Sequence, residues 1–491
     1  MSFVPIKGEF LMKFLHDTVP PYELTYSDVF IVPADQSDVQ SRSTVDTTTI
    51  DGLGMSTPVM VSNMNAVAGR RMAETTARRG AITFLLQNIP IETTRETVEY
   101  VKSRHPIYET PIVLSPDNSI QKALGLIDKR AHGAVIIVDE SEKPVGVFRA
   151  KDAEKQDRYA PIKNVMKTNF VTFEAGTDER EMFDEMVASR VRIAAITEKG
   201  KLVGIVTKQG LVRSTLHNPA LDKDGRLMVG VALGINEDVE ARMKAFDDMG
   251  VDIVLLDTAN GHQKRLVEAV KVARKAAPKM KIAAGTVVTA EGTKQLIEAG
   301  ADLVKVGIGA GATCITRMQT GVGRPQFSAV LECAEAAKKA GGHVIADGGI
   351  RHPRDVALAL AAGASTTMFA SWFAATHESP ADMMTDSDGR KYVEHYGMAS
   401  NRAVLGRAQA DDEFTKITKA FYQEGSSRVR LDVRQDTPGV EDIIDQIVSG
   451  LRSTCSYVDA KNLKELHENA IIGIQSPAAF GEGRAVAGNW S

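Results

Sequence analysis

The sequence predicts an α/β protein: a closed (β/α)8 barrel interrupted by an inserted domain made of two copies of one unit. Three observations lead there. Eight short apolar runs recur, rich in Val, Ile and Ala with apolar residues at both parities, as suits strands buried on two faces. The segments between them carry helical periodicity. The one long gap in the series, between the second and third runs, contains an internal repeat.

In chain order the candidate strands are Pro58–Ser62, Ala81–Leu86, Leu227–Val231, Val251–Asp257, Lys281–Gly285, Ala301–Val306, His343–Asp347 and Ala364–Ala370. Between them, Leu266, Val270, Ala273 and Ala277 fall on one helical face, and Ala329–Ala340 and Pro353–Ala362 behave alike. Strands alternating with helices imply a parallel sheet. Eight such units suggest a closed barrel, with an open doubly wound sheet as the alternative. In the gap, the run from Ile112 to Ser119 matches the run from Phe170 to Thr177, and Val145-Gly146-Val147 matches Val203-Gly204-Ile205. Each copy reads as a strand, a helix and a hairpin, with turns at Glu140–Lys143 and Glu198–Lys201. Two copies would bury their apolar faces on each other. The division is therefore 1–105 and 221–491 for the barrel, with 106–220 inserted.

A chain of 491 residues is long enough for more than one core, and a net charge of −4 with 25% charged residues gives no basic excess that would point to nucleic acid. Cys314, Cys333 and Cys455 are too few and too dispersed for a disulfide framework, which fits a reducing, cytoplasmic setting. No apolar run reaches the ~18 residues of a membrane span. Residues Met1 to Lys13 lack the apolar core of a signal peptide.

Chemistry concentrates after the sixth run. Gly307, Gly309 and Gly311 make a loop whose backbone can approach a ligand closely, and Cys314 lies at its end with Thr316 beside it. The spacing is not a dinucleotide fingerprint, and alone it also suits a tight turn around an inert thiol. In a barrel, however, this loop lies at the strands' C-terminal face, where active sites gather. A thiol there is a candidate nucleophile. Asp347-Gly348-Gly349-Ile350 follows the seventh run and Ala370-Ser371 the eighth, where loops commonly cradle phosphate through N–H groups; Asp347 could accept from a ribose diol. Asp257-Thr258-Ala259-Asn260-Gly261-His262 ends the fourth run, where Asp257 could orient a second ligand and His262 reads as a loop residue. Asp411-Asp412-Glu413 reads as a solvated loop.

The inserted repeat resembles a tandem cystathionine-β-synthase (CBS) pair, a Bateman domain. Such modules often hold ATP- or GTP-type nucleotides, which makes an ATP or GTP effector the implied partner. The first copy has Asp152 but Arg149 where a hydroxyl is usual; the second has Thr207 but Gly210 where an acid is usual. A packing or oligomerisation module fits these residues equally well.

The chain as a whole resembles the IMP dehydrogenase and GMP reductase family. The resemblance runs from Leu24-Thr25-Tyr26-Ser27-Asp28 to Ser453-Thr454-Cys455-Ser456-Tyr457, through the Gly-rich Cys loop, Ala346-Asp347-Gly348-Gly349-Ile350 and Tyr396-Gly397-Met398. It implies a TIM barrel in which Cys314 adds to purine C2. It implies substrate contacts at Met64, Asp347, Gly348, Gly349, Ala370, Ser371, Tyr396, Gly397 and Met398, and cofactor contacts at Asp257, Thr258, Ala259, Gly307 and Gly309. It also implies a K⁺ on carbonyls of Gly309, Gly311 and Cys314, and a homotetramer or octamer. Dehydrogenases of the family resemble one another in an Arg-Tyr pair on a flap. The corresponding segment here, Ala399 to Gly425, has none; the chain's Arg158-Tyr159 lies in the insert. Thr316 to Gly323, Asn63-Met64 and Glu424 are similar to the reductases, where a glutamate partners the threonine and can protonate a leaving amine. The expectation is reductive deamination of GMP to IMP and ammonia by NADPH. The alternatives are NAD-dependent oxidation of IMP to XMP, to which the full-length insert points, or a catalytically silent nucleotide sensor. Departures from the family pattern are Ala312 for a phosphate-binding serine, Thr286 for an asparagine, Asn65 for an aspartate, and Phe421-Tyr422-Gln423 before Glu424.

Overall fold

A computed structural model describes residues 12–17, 21–407, 412–421, 425–426, 428–434 and 439–483. Eight parallel strands close into a barrel: β1 (Val59–Val61), β2 (Ile82–Leu85), β3 (Gly230–Gly234), β4 (Ile253–Asp257), β5 (Lys281–Val287), β6 (Leu303–Val306), β7 (His343–Asp347) and β8 (Thr366–Phe369). Closure comes from β8 pairing with β1, Thr367 opposite Val59 and Phe369 opposite Val61, which excludes the open sheet.

Seven strands overlap their expected runs closely; the third is displaced. Leu227, Met228 and Val229 precede β3 instead of forming it. Leu227 bridges Leu221, Met228 N–H donates to the Ala220 carbonyl at 2.9 Å, and Val229 N–H donates to the Asp252 carboxylate at 2.8 Å. These apolar residues tie the chain returning from the insert onto the barrel, a tertiary use that a local pattern does not encode.

Alternation along the strands separates two cores. Met60, Ile82, Phe84, Ala232, Ile253, Leu255, Ala283, Leu303, Ile345 and Met368 fill the barrel interior. The opposite parity, including Val254, Leu256, Val304 and Val306, packs outward against the helices. The helix Lys264–Ala276 shows why the segments between strands are helical: Leu266, Ala269, Val270 and Ala273 form its buried stripe.

Between β2 and β3 lie two three-stranded sheets of the same order. The first joins Ile112–Leu114, Ala134–Val138 and Pro144–Arg149; the second joins Thr172–Glu174, Ile193–Glu198 and Lys201–Thr207. In each, the first strand is parallel to the middle one and the last two form a hairpin. The second hairpin turns on Lys199 and Gly200, both at positive φ (53° and 80°), the geometry that suits the twist of a tight hairpin. Ala134, Ile136 and Val147 of the first sheet share one buried cluster with Ile193 and Ile205 of the second.

Ion pairs fasten this unit to the barrel. Arg130 meets Glu74 at 2.6 Å, Arg213 meets Asp442 and Asp445 at 2.5 and 2.7 Å, and Lys391 meets Asp128 at 2.6 Å. Two further small sheets flank the barrel. One pairs Ile471–Ile474 with both Lys13–Phe14 and Val29–Val32. The other places Lys391–His395 between Met383–Thr385 and Val429–Asp432.

Candidate active site

The inward parity of three barrel strands ends in charge. Ile253 and Leu255 are followed inward by Asp257, Leu303 by Lys305, and Ile345 by Asp347. Lys305 Nζ lies 2.7 Å from Asp257 Oδ1 and 3.2 Å from Asp347 Oδ2, and Asn63 Nδ2 donates to Asp257 Oδ2 at 3.1 Å. Burial opposes the ammonium charge of Lys305, but the two carboxylates outweigh it and hold the group above the usual lysine range. Burial likewise pushes the Asp347 carboxyl up, against the pull of Lys305.

The loops after β6 and β7 lie backbone to backbone. Gly307 has φ 148°, and a Cβ there would sit 1.9 Å from the Asp347 carbonyl; a side chain at 307 is excluded. Gly349 N–H donates to the Ala310 carbonyl at 2.9 Å. Gln326 Nε2 donates to the carbonyls of Val306 and Asp347 at 2.8 and 3.2 Å, clasping the two strand ends. Gly309, at φ 78°, is packed against Arg317. Gly311 is different: its φ is ordinary and a Cβ would make a normal 3.5 Å contact with Cys314 Cβ.

Cys314 N–H donates to the Gly311 carbonyl at 3.1 Å, and its Sγ is 3.2 Å from Thr316 Oγ1. It is the partly exposed cysteine. Cys333 and Cys455 are buried, and burial pushes both thiols up to about 12. The segment returning from the flap reaches the same place. Gly425 forms a β-bridge with Cys314, Ser426 N–H donates to the Thr313 carbonyl at 2.9 Å, and Gly397 N–H donates to the Ser426 carbonyl at 2.9 Å. Glu424 lies outside the described residues.

These loops enclose a cavity of about 400 Å³. Met64, Asp257, Thr258, Ala259, Gly307, Gly309, Gly311, Cys314 and Thr316 line it, as do Asp347, Gly348, Gly349, Ala370, Ser371, Gly397 and Met398. The loop carrying Thr258 and Ala259 is fixed to the end of β5: Thr258 N–H donates to the Gly285 carbonyl and Gly261 N–H to the Thr286 carbonyl.

Tyr396, expected at the substrate, is not among the lining residues of this cavity; its ring lies under the Arg402 guanidinium, 4.5 Å from the carbon to the centroid. Side chains alternate along the strand Lys391–His395 and its continuation, so the residue that faces the cavity is His395, 1% exposed. The reading also missed Lys305, whose signal was available: a lysine at the inward parity of an otherwise apolar strand.

A second cavity, of about 880 Å³, opens between the two copies of the insert and the start of the helix Val440–Tyr457. Arg149, Lys151, Arg190, Arg192, Lys208 and Arg213 line it. The two half-motif residues serve local structure: the Asp152 carboxylate accepts Arg149 N–H at 2.8 Å, and Thr207 Oγ1 donates to Glu109 Oε1 at 2.6 Å.

Comparison with known proteins agrees with this architecture. A family model described as the IMP dehydrogenase / GMP reductase domain matches residues 23–485. A GMP reductase of Mycobacterium tuberculosis (strain ATCC 25618 / H37Rv) is 51% identical over 481 residues, which span 98% of this chain and 100% of the relative. An inosine-5'-monophosphate dehydrogenase of Aquifex aeolicus is 36% identical over 457 residues, 91% of this chain and 92% of the relative. Among solved structures, a cysteine-to-alanine variant of the Trypanosoma brucei GMP reductase in complex with guanosine 5'-monophosphate superposes with a TM-score of 0.68. It is 30% identical and covers 97% of this chain and 100% of its own. These reductases match the chain across the inserted region, so a full-length insert does not favour the dehydrogenase side.

Proposed function

The chain belongs to the IMP dehydrogenase / GMP reductase family and is an oxidoreductase; from that premise we propose that it is a GMP reductase, converting GMP to IMP and ammonia with NADPH through a covalent cysteine–purine adduct. The observation that carries the reading is the Cys314–Thr316 pair at 3.2 Å, covered by a flap return at Gly425 that brings no Arg-Tyr pair with it.

In the proposed reaction Cys314 Sγ bonds to purine C2 and the 2-amino group leaves, protonated, as ammonia. Glu424, adjacent to the Gly425 bridge, supplies that proton in partnership with Thr316. A hydride then arrives at C2 and the carbon–sulfur bond breaks, returning the thiolate and releasing IMP. The hydride is what a reduced nicotinamide cofactor supplies when bound. Thr258 and Ala259 beside Gly307 and Gly309 offer it a polar, small-residue border on the cavity. Asp347 and the N–H groups of Gly348 and Ser371 fit a ribose phosphate.

Among the described residues no group of three or more His, Cys, Asp or Glu side chains could hold a metal. A cation at the Cys loop would therefore rest on carbonyls of Gly309, Gly311 and Cys314, donors that suit a hard monovalent ion such as K⁺. The six basic side chains of the second cavity support an anionic nucleotide effector there. Among the described residues no helix is long and apolar enough to cross a membrane; a cytoplasmic homo-oligomer belongs to the proposal.

Purified protein given GMP and NADPH should lose the absorbance of reduced cofactor and release one ammonia per cofactor oxidised. Robust reduction of NAD with IMP, and no turnover of GMP, would sink the proposal in favour of the dehydrogenase.

A further inference from the structure

The cavity is built for a nucleotide phosphate yet is short of positive charge. Among the described residues its titratable lining consists of Asp257, Asp347, Lys305, Cys314 and His395. Lys305 is committed to both carboxylates, so with His395 neutral the walls carry a net negative charge before any phosphate enters. Among the described residues no arginine lines the cavity, and residue 312 is alanine, without a hydroxyl to offer.

Among the described lining residues His395 is the remaining group that can become cationic. It ends the strand Lys391–His395, which packs against the short helix Ser371–Ala374 that begins directly after β8. That is the phosphate end of a barrel site. The ring is 1% exposed, and neither Nδ1 nor Nε2 has a hydrogen-bond partner. A buried imidazole with both nitrogens unpaired is costly unless a ligand completes it.

We infer that His395 is the cationic partner of the substrate's 5'-phosphate, taking a proton from solvent when the nucleotide binds and donating a hydrogen bond to a phosphate oxygen. The inference rests on the reading that the ligand is a purine nucleoside monophosphate.

The surroundings leave this titration to the ligand. Burial alone holds the free imidazole down at about 4. On its own strand Lys391 pairs with Asp128, and Glu394 pairs with Arg402 and Arg428. On the neighbouring strand Arg430 pairs with Asp386 and Asp432 and covers the Tyr392 ring. The helix Ser371–Ala374 carries no titratable residue. A dianion against the ring favours the imidazolium, so between the free and bound pKa values affinity falls as pH rises, by about tenfold per unit for one proton.

Calorimetric titration of the whole protein with GMP, and separately with IMP, at pH 7.5 in buffers of different ionisation enthalpy counts the protons. The phosphate, with a second pKa near 6, is then already a dianion. Wild type should take up close to one proton per nucleotide, and its affinity should weaken about tenfold per pH unit above 7. His395→Gln should take up none, bind on the order of tenfold more weakly at pH 7.5 and lose the pH dependence. His395→Asn serves if the glutamine variant does not fold, and the wild-type count stands by itself if neither does. Nucleotide binding without proton uptake in wild type, or with undiminished uptake in the variant, overturns the inference. Failure of GMP and IMP to bind at all overturns the nucleotide reading and this inference with it.

Discussion

Cys314 is distinguished from Cys333 and Cys455 by exposure as well as by its glycine loop: the latter two are buried with thiols pushed up to about 12, and a thiol rather than a thiolate is a poor nucleophile. Iodoacetamide should therefore modify one cysteine per folded chain, Cys314, and GMP should protect it; mass spectrometry of tryptic peptides reads this directly. Cys314→Ala should reduce turnover by more than about 10⁴-fold while GMP binding stays within a few-fold. Glu424→Gln should slow ammonia release and leave GMP affinity nearly unchanged; an equal loss in both would make Glu424 a binding residue. Lys305→Met would strand two carboxylates beneath the site. Removing one partner of a buried charge cluster costs about 3–5 kcal/mol, visible as a lower urea midpoint than wild type. At this scale much was legible in the chain, because Cys314, Asp347 and the glycines have few other uses at strand ends. His395 was not, since its neighbour Tyr396 offered a more familiar side chain and only the alternation of an edge sheet decides which of the two faces inward.

Loops and caps show what an element requires of its residues. Gly307→Ala would drive a methyl group into the Asp347 carbonyl, backbone against backbone. The expected cost exceeds about 2 kcal/mol, with loss of activity as the two loops separate. Gly311→Ala, at ordinary φ and with room for a methyl, should fold normally and keep its rate within about threefold, since its carbonyl survives; comparing the two variants by thermal melting and turnover tests the distinction. Helix positions were readable from periodicity because each helix buries one stripe. The start of Val440–Tyr457 was not, because the Val440 N–H is capped by the carboxylate of Glu378 at 2.8 Å, from a distant segment. The third barrel strand was misplaced for the same kind of reason: Leu227 to Val229 are apolar to serve partners across the fold.

Over the whole molecule, buried ions join three units. Glu441, on the long C-terminal helix, meets Arg79 of the barrel at 2.6 Å and Arg213 of the insert at 3.4 Å. Glu378 lies close by, 3% exposed, and burial pushes its carboxyl up to about 7 from an ordinary 4.5. The folded protein thus keeps a proton that the unfolded chain has released between about pH 4.5 and 7, so this group makes stability fall as pH rises through that window, by on the order of 3 kcal/mol. Glu378→Gln should remove that component: its melting temperature should rise relative to wild type between pH 5 and pH 7.5, and parallel profiles would refute the assignment. The alternating runs and the repeat made the architecture legible, but closure was not, because whether the eighth strand meets the first is decided by twist and tilt over the full ring. That closure has a consequence for how the chain comes off the ribosome. Both sheets of the insert use strands from one local stretch and are complete by Thr207, whereas β1 waits for Thr366–Phe369 and the strands Lys13–Phe14 and Val29–Val32 wait for Ile471–Ile474. Synthesis therefore delivers a finishable inner unit while the first two barrel strands, made earlier, still lack their ring. The middle of the polypeptide can mature before its beginning, and the candidate active-site cavity cannot be complete until the chain has been made as far as Gly425.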